Sequence, residues 1–238
     1  MENTYRIAEL VIRMKPEYAP LLPQSEAYRY DGREEYDYRI HISEEMYLEY
    51  EKRFPEADRP LIEYMMTGAQ FYSALIHRQG LLLHASAVEL DGKAYLFSAP
   101  SGTGKSTHTS LWLKEFAPRA RILNDDKPAL RLQDGKFYVY GTPWSGKSDQ
   151  SLNLKVPLQG IAFLSRGEEN RISHASSLFA IRSVLEQTVR PKEPSAASML
   201  MDLINQLVQY VPIYTLQCNM EPEAAHVSYQ TMLKGEML

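Results

Sequence analysis

Residues 97–112 of the chain, FSAPSGTGKSTHTSLW, contain most of a phosphate-binding loop and decide the predicted fold. The common form is G-x-x-x-x-G-K-[ST]; the segment from Ala99 to Ser106 departs from it only at the first position, where alanine replaces glycine. Glycines let a backbone turn its amides toward phosphate oxygens, and a following helix N-terminus adds a positive dipole. We therefore predict an atypical P-loop that binds a nucleoside triphosphate.

The predicted phosphate-binding residues are consecutive: Ser101, Gly102, Thr103, Gly104, Lys105, Ser106 and Thr107. Lys105 is expected to reach the β- and γ-phosphates, and the Ser106 hydroxyl to hold Mg²⁺. Alanine is tolerated at position 99 if that position needs no positive φ, and Pro100 favours an extended backbone there. The alternative is a loop of small residues that joins a strand to a helix and binds nothing.

A pair of carboxylates, Asp125 and Asp126, lies 20 and 21 residues beyond Lys105, at the end of a predicted strand. A strand that ends in acids beside a phosphate loop is the Walker B arrangement, in which a carboxylate serves Mg²⁺. Both aspartates are candidate metal ligands, and one is expected to accept a proton from an attacking hydroxyl. Which of the two does so stays open at this point, and the alternative is a solvated Asp-Asp turn.

The segments around the loop predict an α/β fold with a mixed β-sheet. Strands 81–90 and 93–98 flank Asp91-Gly92, a strong hairpin signal. The strand entering the loop then pairs antiparallel with its predecessor, whereas most P-loop enzymes have parallel neighbours connected through helices. A change in composition near Gly80 predicts a small N-terminal α+β region, residues 1–78, and a P-loop catalytic domain, residues 79–238.

Other predicted elements follow from periodicity, caps and breakers. Strands are expected at 7–14, 36–42, 120–124, 156–165 and 211–218, with a second Asp-Gly hairpin at Asp134-Gly135. Helices are expected at 43–54, 60–77, 106–116, 176–189, 195–210 and 222–234. Ser43 is the predicted N-cap of the first helix.

Composition excludes several classes of protein. With 26 basic and 30 acidic residues the net charge is −4, which argues against a nucleic-acid binder. The single cysteine, Cys218, excludes an intrachain disulfide and a two-cysteine metal motif, and we expect it to be buried in the core. The N-terminus does not resemble a signal peptide and the apolar runs are too short to span a bilayer, so a cytoplasmic protein without membrane contact is expected.

Two further segments are candidates for the site. His84 lies on the strand before the Asp91-Gly92 hairpin; a lone histidine in a strand is more often structural than catalytic, but the hairpin brings it into the sheet of the loop. In GTPWSGK, residues 141–147, Lys147 is a candidate for binding phosphate or an acidic substrate, and Trp144 for packing a substrate or base. A packed Pro-Trp corner is the equal alternative.

The run LLLHASAVELDGKAYLFSAPSGTGKST, residues 81–107, followed by NDD, residues 124–126, resembles the catalytic domain of the HPr kinase/phosphorylase family. That fold is shared with the ATP-dependent phosphoenolpyruvate carboxykinases. The resemblance spans roughly residues 80–218, and about 75 N-terminal residues do not resemble the N-terminal domain of the bifunctional enzymes. The chain looks more like the shorter kinase homologues found near peptide-modification genes.

The resemblance implies a kinase that uses ATP and Mg²⁺ to phosphorylate a hydroxyl, most simply a serine of a protein or peptide. By position, His84 and Lys105 match catalytic residues of the family, Ser106 matches its Mg²⁺ ligand, and Asp125-Asp126 matches its general base. Arg190, before Pro191, is the best match to a downstream arginine of the family. The relatives form hexamers, so a homo-oligomer is expected.

The sequence departs from the family at VPLQG, residues 156–160, where members have a metal-binding glutamate and this chain has no acid. Metal binding then rests on Ser106 and the aspartates, and a reverse phosphorylase reaction stays open. The rival hypothesis is an ATP-binding regulator or scaffold without efficient phosphoryl transfer. A carboxykinase is disfavoured, because the chain is short and shows no arginine set for oxaloacetate.

Overall fold

Two β-sheets organise residues 2–235, the part of the chain that the computed structural model describes. The strands are β1 (Asn3–Ile7), β2 (Leu10–Met14), β3 (Tyr38–Arg39), β4 (Gly80–Leu82), β5 (Ala85–Leu90), β6 (Lys93–Ser98), β7 (Ala120–Asn124), β8 (Ala129–Gln133), β9 (Lys136–Tyr140), β10 (Lys155–Arg166), β11 (Arg171–His174) and β12 (Ile213–Cys218). The helices are α1 (Leu21–Ser25), α2 (Glu44–Arg53), α3 (Arg59–Ile76), α4 (Lys105–Glu115), α5 (Ser177–Glu186), α6 (Pro194–Tyr210) and α7 (Glu223–Lys234).

A small three-stranded sheet, in the order β1-β2-β3, occupies the N-terminal region. The prediction of one strand over residues 7–14 is wrong, because the chain reverses at Ala8 and Glu9, which have φ of 49° and 63°. Neither residue is a usual choice for positive φ, so the sequence carries no turn signal there. The strand expected at 36–42 is reduced to β3, which pairs parallel with β2.

Helices α2 and α3 each begin directly after a residue whose side chain caps the first turn. Ser43 Oγ accepts a hydrogen bond from the backbone amide of Met46 at 3.3 Å, and this confirms it as the N-cap of α2. Asp58 Oδ1 accepts from the amide of Leu61 at 3.0 Å and caps α3, which has Pro60 in its first turn. Helix α3 then spans Arg59–Ile76, close to the predicted range of 60–77.

Trp144 is part of the core, which corrects its assignment as a substrate contact. Its indole has no exposed surface and stacks on Phe71 with ring centroids 4.9 Å apart. Its Nε1 donates to Thr67 Oγ1 at 3.2 Å. Gly68 of α3 makes this packing possible, since a Cβ there would lie 3.2 Å from the indole ring. The Pro-Trp segment is therefore a packed corner that fixes α3 against residues 141–149.

Removal of this indole is expected to destabilise the protein. Trp144→Ala should lower the free energy of unfolding by about 3–5 kcal/mol, because it leaves a large cavity against α3 and removes the hydrogen bond from the indole to Thr67. Urea titration followed by circular dichroism measures the change, with Trp144→Phe as the control that keeps a stacking ring and loses less. A loss below about 1 kcal/mol for the alanine variant would contradict the packing described here.

The main sheet is mixed, as the Asp-Gly hairpin predicts. Its strands follow the order β4-β8-β9-β10-β6-β5-β7, and β12 pairs with β10 and β11 beside this path. Strand β6 pairs antiparallel with β5 and parallel with β10. Asp91 and Gly92 have φ of 53° and 77°, the conformation of a tight hairpin turn. The fold is thus α/β with a mixed sheet.

The predicted strand 81–90 is two strands in the structure. β4 pairs antiparallel with β8, whereas β5 pairs with β6 and β7. Leu83 and His84 lie between the two strands, so His84 stands at the point where the chain passes from one part of the sheet to another. The sequence also gives no sign of β11, a short strand that pairs only with β12 among the described residues.

Helices cover both faces of the main sheet. α5 and α6 bury Val184, Leu200 and Leu207 against one face, while α4 and α7 pack on the other around Trp112. Within residues 2–235 no helix combines the length and the apolar character needed to cross a bilayer. The predicted boundary between residues 1–78 and 79–238 falls between α3 and β4, and the division into two domains stays a prediction.

Candidate functional site

Three strands of the main sheet end at one edge, and the predicted site residues gather there. β6 and β10 are parallel, and β7 runs in the same direction because both β6 and β7 are antiparallel to β5. Their C-terminal ends therefore deliver the loop after Ser98, the aspartates after Asn124, and Arg166. Ligands of α/β sheets bind at such an edge.

The loop has the conformation that its glycines predict. Gly102 and Gly104 have φ of +78° and +123°, a region that residues with a side chain rarely adopt. Ala99, at the first motif position, is buried and is not among the residues with positive φ. Alanine therefore meets the backbone requirement at that position without strain.

Helix α4 begins at Lys105, directly after the loop. The amide of His108 makes the first helical bond, to the Gly104 carbonyl at 3.0 Å. The amides of the preceding turn have no acceptor one turn earlier and point out of the helix start. These donors, together with the helix dipole, favour an anion at this end of α4.

Lys105 and Arg166 both donate to carbonyl groups of the loop. Lys105 Nζ donates to the Ala99 carbonyl at 2.7 Å. Arg166 donates from Nε to the Thr103 carbonyl at 3.1 Å and from Nη2 to the Gly102 carbonyl at 2.5 Å. These three bonds hold the loop through the carbonyls of Ala99, Gly102 and Thr103. Burial lowers the pKa of Lys105, and the charges of Asp126 and Asp125 oppose that shift.

The turn after β7 is organised by Asn124, a fully buried side chain. Its Oδ1 accepts from the amides of Asp126 and Lys127 at 3.0 and 2.7 Å, and its Nδ2 donates to the Thr142 carbonyl at 3.0 Å. The asparagine before the two aspartates thus fixes the directions in which their carboxylates leave the strand. The sequence itself gives no sign of this role, because it depends on the position of Thr142.

The two aspartates have different partners. Asp125 Oδ1 accepts a hydrogen bond from Ser86 Oγ at 2.6 Å. Asp126 Oδ1 lies 3.3 Å from His84 Nε2, and its Oδ2 accepts from Lys127 Nζ at 2.5 Å. Burial alone would raise the pKa of Asp126, but the His84 hydrogen bond and the Lys127 charge outweigh it, so the pKa lies below the ordinary value of 3.8. Asp126 is therefore ionised at neutral pH.

His84 is held in place from its other side. Its backbone amide donates to the Gln187 carbonyl at 2.8 Å, and its Nδ1 lies 2.9 Å from Gln187 Oε1. Gln187 follows α5, so this helix orients the imidazole toward Asp126. No local pattern marks Gln187 in the sequence, because its partner is 103 residues away.

One cleft of about 690 Å³ contains most of the predicted residues. Its lining includes Ser101, Gly102, Gly104, Lys105, Ser106, Thr107, His84, Asp125, Asp126 and Lys147. Arg166 lines it as well and was missed, because only the position of β10 beside β6 brings it to the loop. Arg190 and Trp144 are not lining residues: Arg190 lies on an exposed segment after α5, and Trp144 lies in the core.

A second cavity, of about 390 Å³, adjoins the loop on the side of β12. Thr103, Gly104 and Arg166 border it together with the more apolar Leu164, Cys218 and Met220. Cys218 is only partly buried and lines this cavity, so the expectation of a core cysteine is corrected. Cys218 is the last residue of β12 and packs at the edge of the core that surrounds Trp112.

Comparison with known proteins identifies a family. A family model described as SynChlorMet cassette protein ScmC matches residues 52–224. No curated protein matches the chain. Among solved structures, the Hpr(Ser) kinase/phosphatase from Coxiella burnetii is similar at 13% identity with a TM-score of 0.35, covering 64% of this chain and 97% of that one. That level of similarity supports no conclusion about activity. The match over residues 52–224 does establish the family: the chain belongs to the SynChlorMet cassette protein ScmC family.

Proposed function

We propose that this protein is a kinase that transfers the γ-phosphoryl group of ATP to a hydroxyl, most simply a serine of a protein or peptide. The observation that carries the proposal is the single cleft that contains the glycine-rich loop, Lys105 and the His84–Asp126 pair. Phosphoryl transfer requires little more than positioned phosphates and a group that receives the proton of the attacking hydroxyl. The motif resemblance to HPr kinases supports the same reaction.

The loop and α4 supply the phosphate-binding half of the cleft. Amides of residues 101–106 and the helix dipole are proposed to bind the β- and γ-phosphates, with Lys105 exchanging the Ala99 carbonyl for a phosphate oxygen. Arg166 is proposed to hold the loop in place through the carbonyls of Gly102 and Thr103. The adjoining cavity beside Leu164 and Met220 is proposed to hold the nucleoside, since it shares Gly104 and Arg166 with the cleft.

The donors in the cleft fit Mg²⁺. Within residues 2–235 no cluster of three or more His, Cys, Asp and Glu side chains is arranged to hold a metal on its own. Mg²⁺ does not need such a cage, because it keeps several waters and binds through one or two protein oxygens and substrate phosphates. Ser106 and Asp125 line the cleft as hard oxygen donors and are the proposed ligands. Bound there, the ion would neutralise charge on the β- and γ-phosphates.

Asp126 is proposed as the proton acceptor. It is ionised, it is oriented by His84 and Lys127, and Ser86 does not engage it. The acceptor hydroxyl would attack the γ-phosphorus and give its proton to Asp126, while the bond to the ADP oxygen breaks. His84 is proposed to position this carboxylate, and Lys147 to attract the phosphate. Cytoplasmic location and homo-oligomer formation remain predictions.

Label transfer from ATP tests the proposal. The protein is incubated with γ-labelled ATP, Mg²⁺ and candidate acceptors, namely serine peptides and small alcohols, and ATP binding is measured in parallel. Incorporation of label that chelation of Mg²⁺ abolishes is the expected result. Tight ATP binding with no transfer would favour the ATP-binding regulator, and absence of ATP binding would overturn both hypotheses.

A further inference from the structure

We propose that a groove between the N-terminal region and the turns that carry Asp126 and Gly146 binds the acceptor as a peptide segment. An apolar residue of this peptide would lie beside the serine that is phosphorylated. The inference rests on the proposed function. The groove encloses about 600 Å³, and one wall consists of Ala19, Pro20, Pro60, Leu61 and Tyr64. These residues were assigned no role by sequence analysis.

The opposite side of the groove consists of Asp126, in the turn after β7, and of the turn at residues 145–149. Asp126, Gly146 and Lys147 line the groove, and the same three residues line the phosphate cleft. Asp126 therefore stands where two cavities meet, whereas Asp125 lines only the phosphate cleft of the two. A proton acceptor must contact the hydroxyl of one substrate beside the phosphate of the other. Asp126 meets this requirement if ATP occupies the cleft and the hydroxyl substrate occupies the groove.

The groove is a built feature of the fold. Glu63 of α3 accepts hydrogen bonds from the amides of Glu17 and Tyr18 at 2.8 and 3.0 Å, which fixes the chain just before Ala19 and Pro20. The amide of Gly146 donates to Tyr64 Oη at 2.8 Å. Gln24 Nε2 donates to the Gly146 carbonyl at 3.0 Å. Tyr64 and Gln24 thus hold the turn at residues 145–149 against the N-terminal region, one through the amide and the other through the carbonyl of Gly146.

Gly146 sets the width of the junction. Its φ is +72°, and a Cβ at this position would lie 2.9 Å from Cβ of Asp126. Only glycine combines that backbone conformation with so close an approach. The turn can therefore pass close over Asp126, and a larger residue at position 146 would press on this carboxylate where it lines both cavities.

One wall of the groove favours an apolar side chain of the acceptor peptide. This wall is mostly proline, alanine and leucine, and Leu61 is 45% exposed to solvent, so an apolar group gains by covering it. Asp58 and Asp149 also line the groove, so the apolar preference belongs to this wall and not to the whole lining. Gln24, which also lines the groove, has an Oε1 with no hydrogen-bond partner in the described part of the chain, and a peptide N–H is a fitting donor.

Bisubstrate analogues test the groove without a known acceptor. The γ-phosphate of ATP is esterified to the serine hydroxyl of a short peptide whose flanking residues are leucine, glycine or aspartate, and binding is measured by calorimetry. The leucine-flanked analogue is expected to bind about tenfold or more tightly than the glycine-flanked one. Leu61→Asp should remove this difference, while Leu48→Asp, an equally exposed leucine outside the groove at 46%, should retain it.

Each outcome decides a separate point. Equal binding of the three analogues, or a difference that survives Leu61→Asp, would overturn the groove and leave the nucleotide site standing. Binding of ATP without binding of any analogue would also overturn it, because the acceptor then cannot reach the junction. Failure of both ATP and the analogues to bind would overturn the proposed function itself.

Discussion

Asp126→Asn is expected to lower the rate of phosphoryl transfer by about 10²–10⁴-fold and to change ATP affinity little. Asparagine keeps the size of the side chain but cannot accept the proton of the attacking hydroxyl. Asp126 accepts hydrogen bonds from His84 and Lys127, and among the described residues it is the one carboxylate that lines both cleft and groove, so we expect no other acid to take its place. Transfer rate is measured with labelled ATP, and affinity by calorimetry.

Asp125→Asn is the matched comparison for this variant. Asp125 is bonded to Ser86 and lines the phosphate cleft. Because Asp125 is a proposed Mg²⁺ ligand, its replacement should raise the Mg²⁺ concentration that gives half-maximal transfer. Excess Mg²⁺ should then restore part of the transfer activity. Excess Mg²⁺ should not restore the transfer activity of the Asp126→Asn variant. If both variants transfer normally, the assignment of a carboxylate base is wrong.

Lys105→Ala is expected to reduce transfer by about 10²–10³-fold or more, and unlike Asp126→Asn it should also weaken ATP binding. The ammonium group lies at the start of α4 between the loop and the two carboxylates, where burial makes its interaction with phosphate strong. Lys114→Ala, an exposed lysine in the last turn of the same helix, is the control and should behave as the unchanged protein. Unchanged ATP affinity in Lys105→Ala would contradict phosphate binding by this loop.

Local signals predicted the parts of the site that depend on backbone geometry. Asp91-Gly92 marks a hairpin because both residues accept positive φ, and the loop glycines mark their own turns for the same reason. From that hairpin the mixed sheet followed. Ala8 and Glu9 form a similar turn although neither residue favours positive φ. Tertiary packing therefore determines this turn, and no sequence pattern predicts it.

Long-range contacts account for what sequence analysis missed. Arg166 reaches the loop only because β10 inserts beside β6, a pairing that joins strands about 60 residues apart and leaves no local pattern. Arg190 was chosen by its position relative to Pro191; it is exposed and does not line the cleft, although Gln187, three residues earlier, contacts His84. Gln187 and the groove wall at residues 19–64 depend likewise on how helices pack, which a single sequence does not encode locally.

The common direction of β6, β7 and β10 has a consequence for how this protein can diverge over time. Every catalytic group proposed here is carried by one rim of the sheet, while the Asp91-Gly92 turn faces away at the far end of the same strands. Extra residues inserted at that distant turn would leave the reactive groups in register. One residue inserted or deleted in β10 between Gly160 and Arg166 would turn the Arg166 side chain to the opposite face of the sheet. Insertions are therefore tolerated at the Asp91-Gly92 end of the sheet and hardly at all at the end that carries the site.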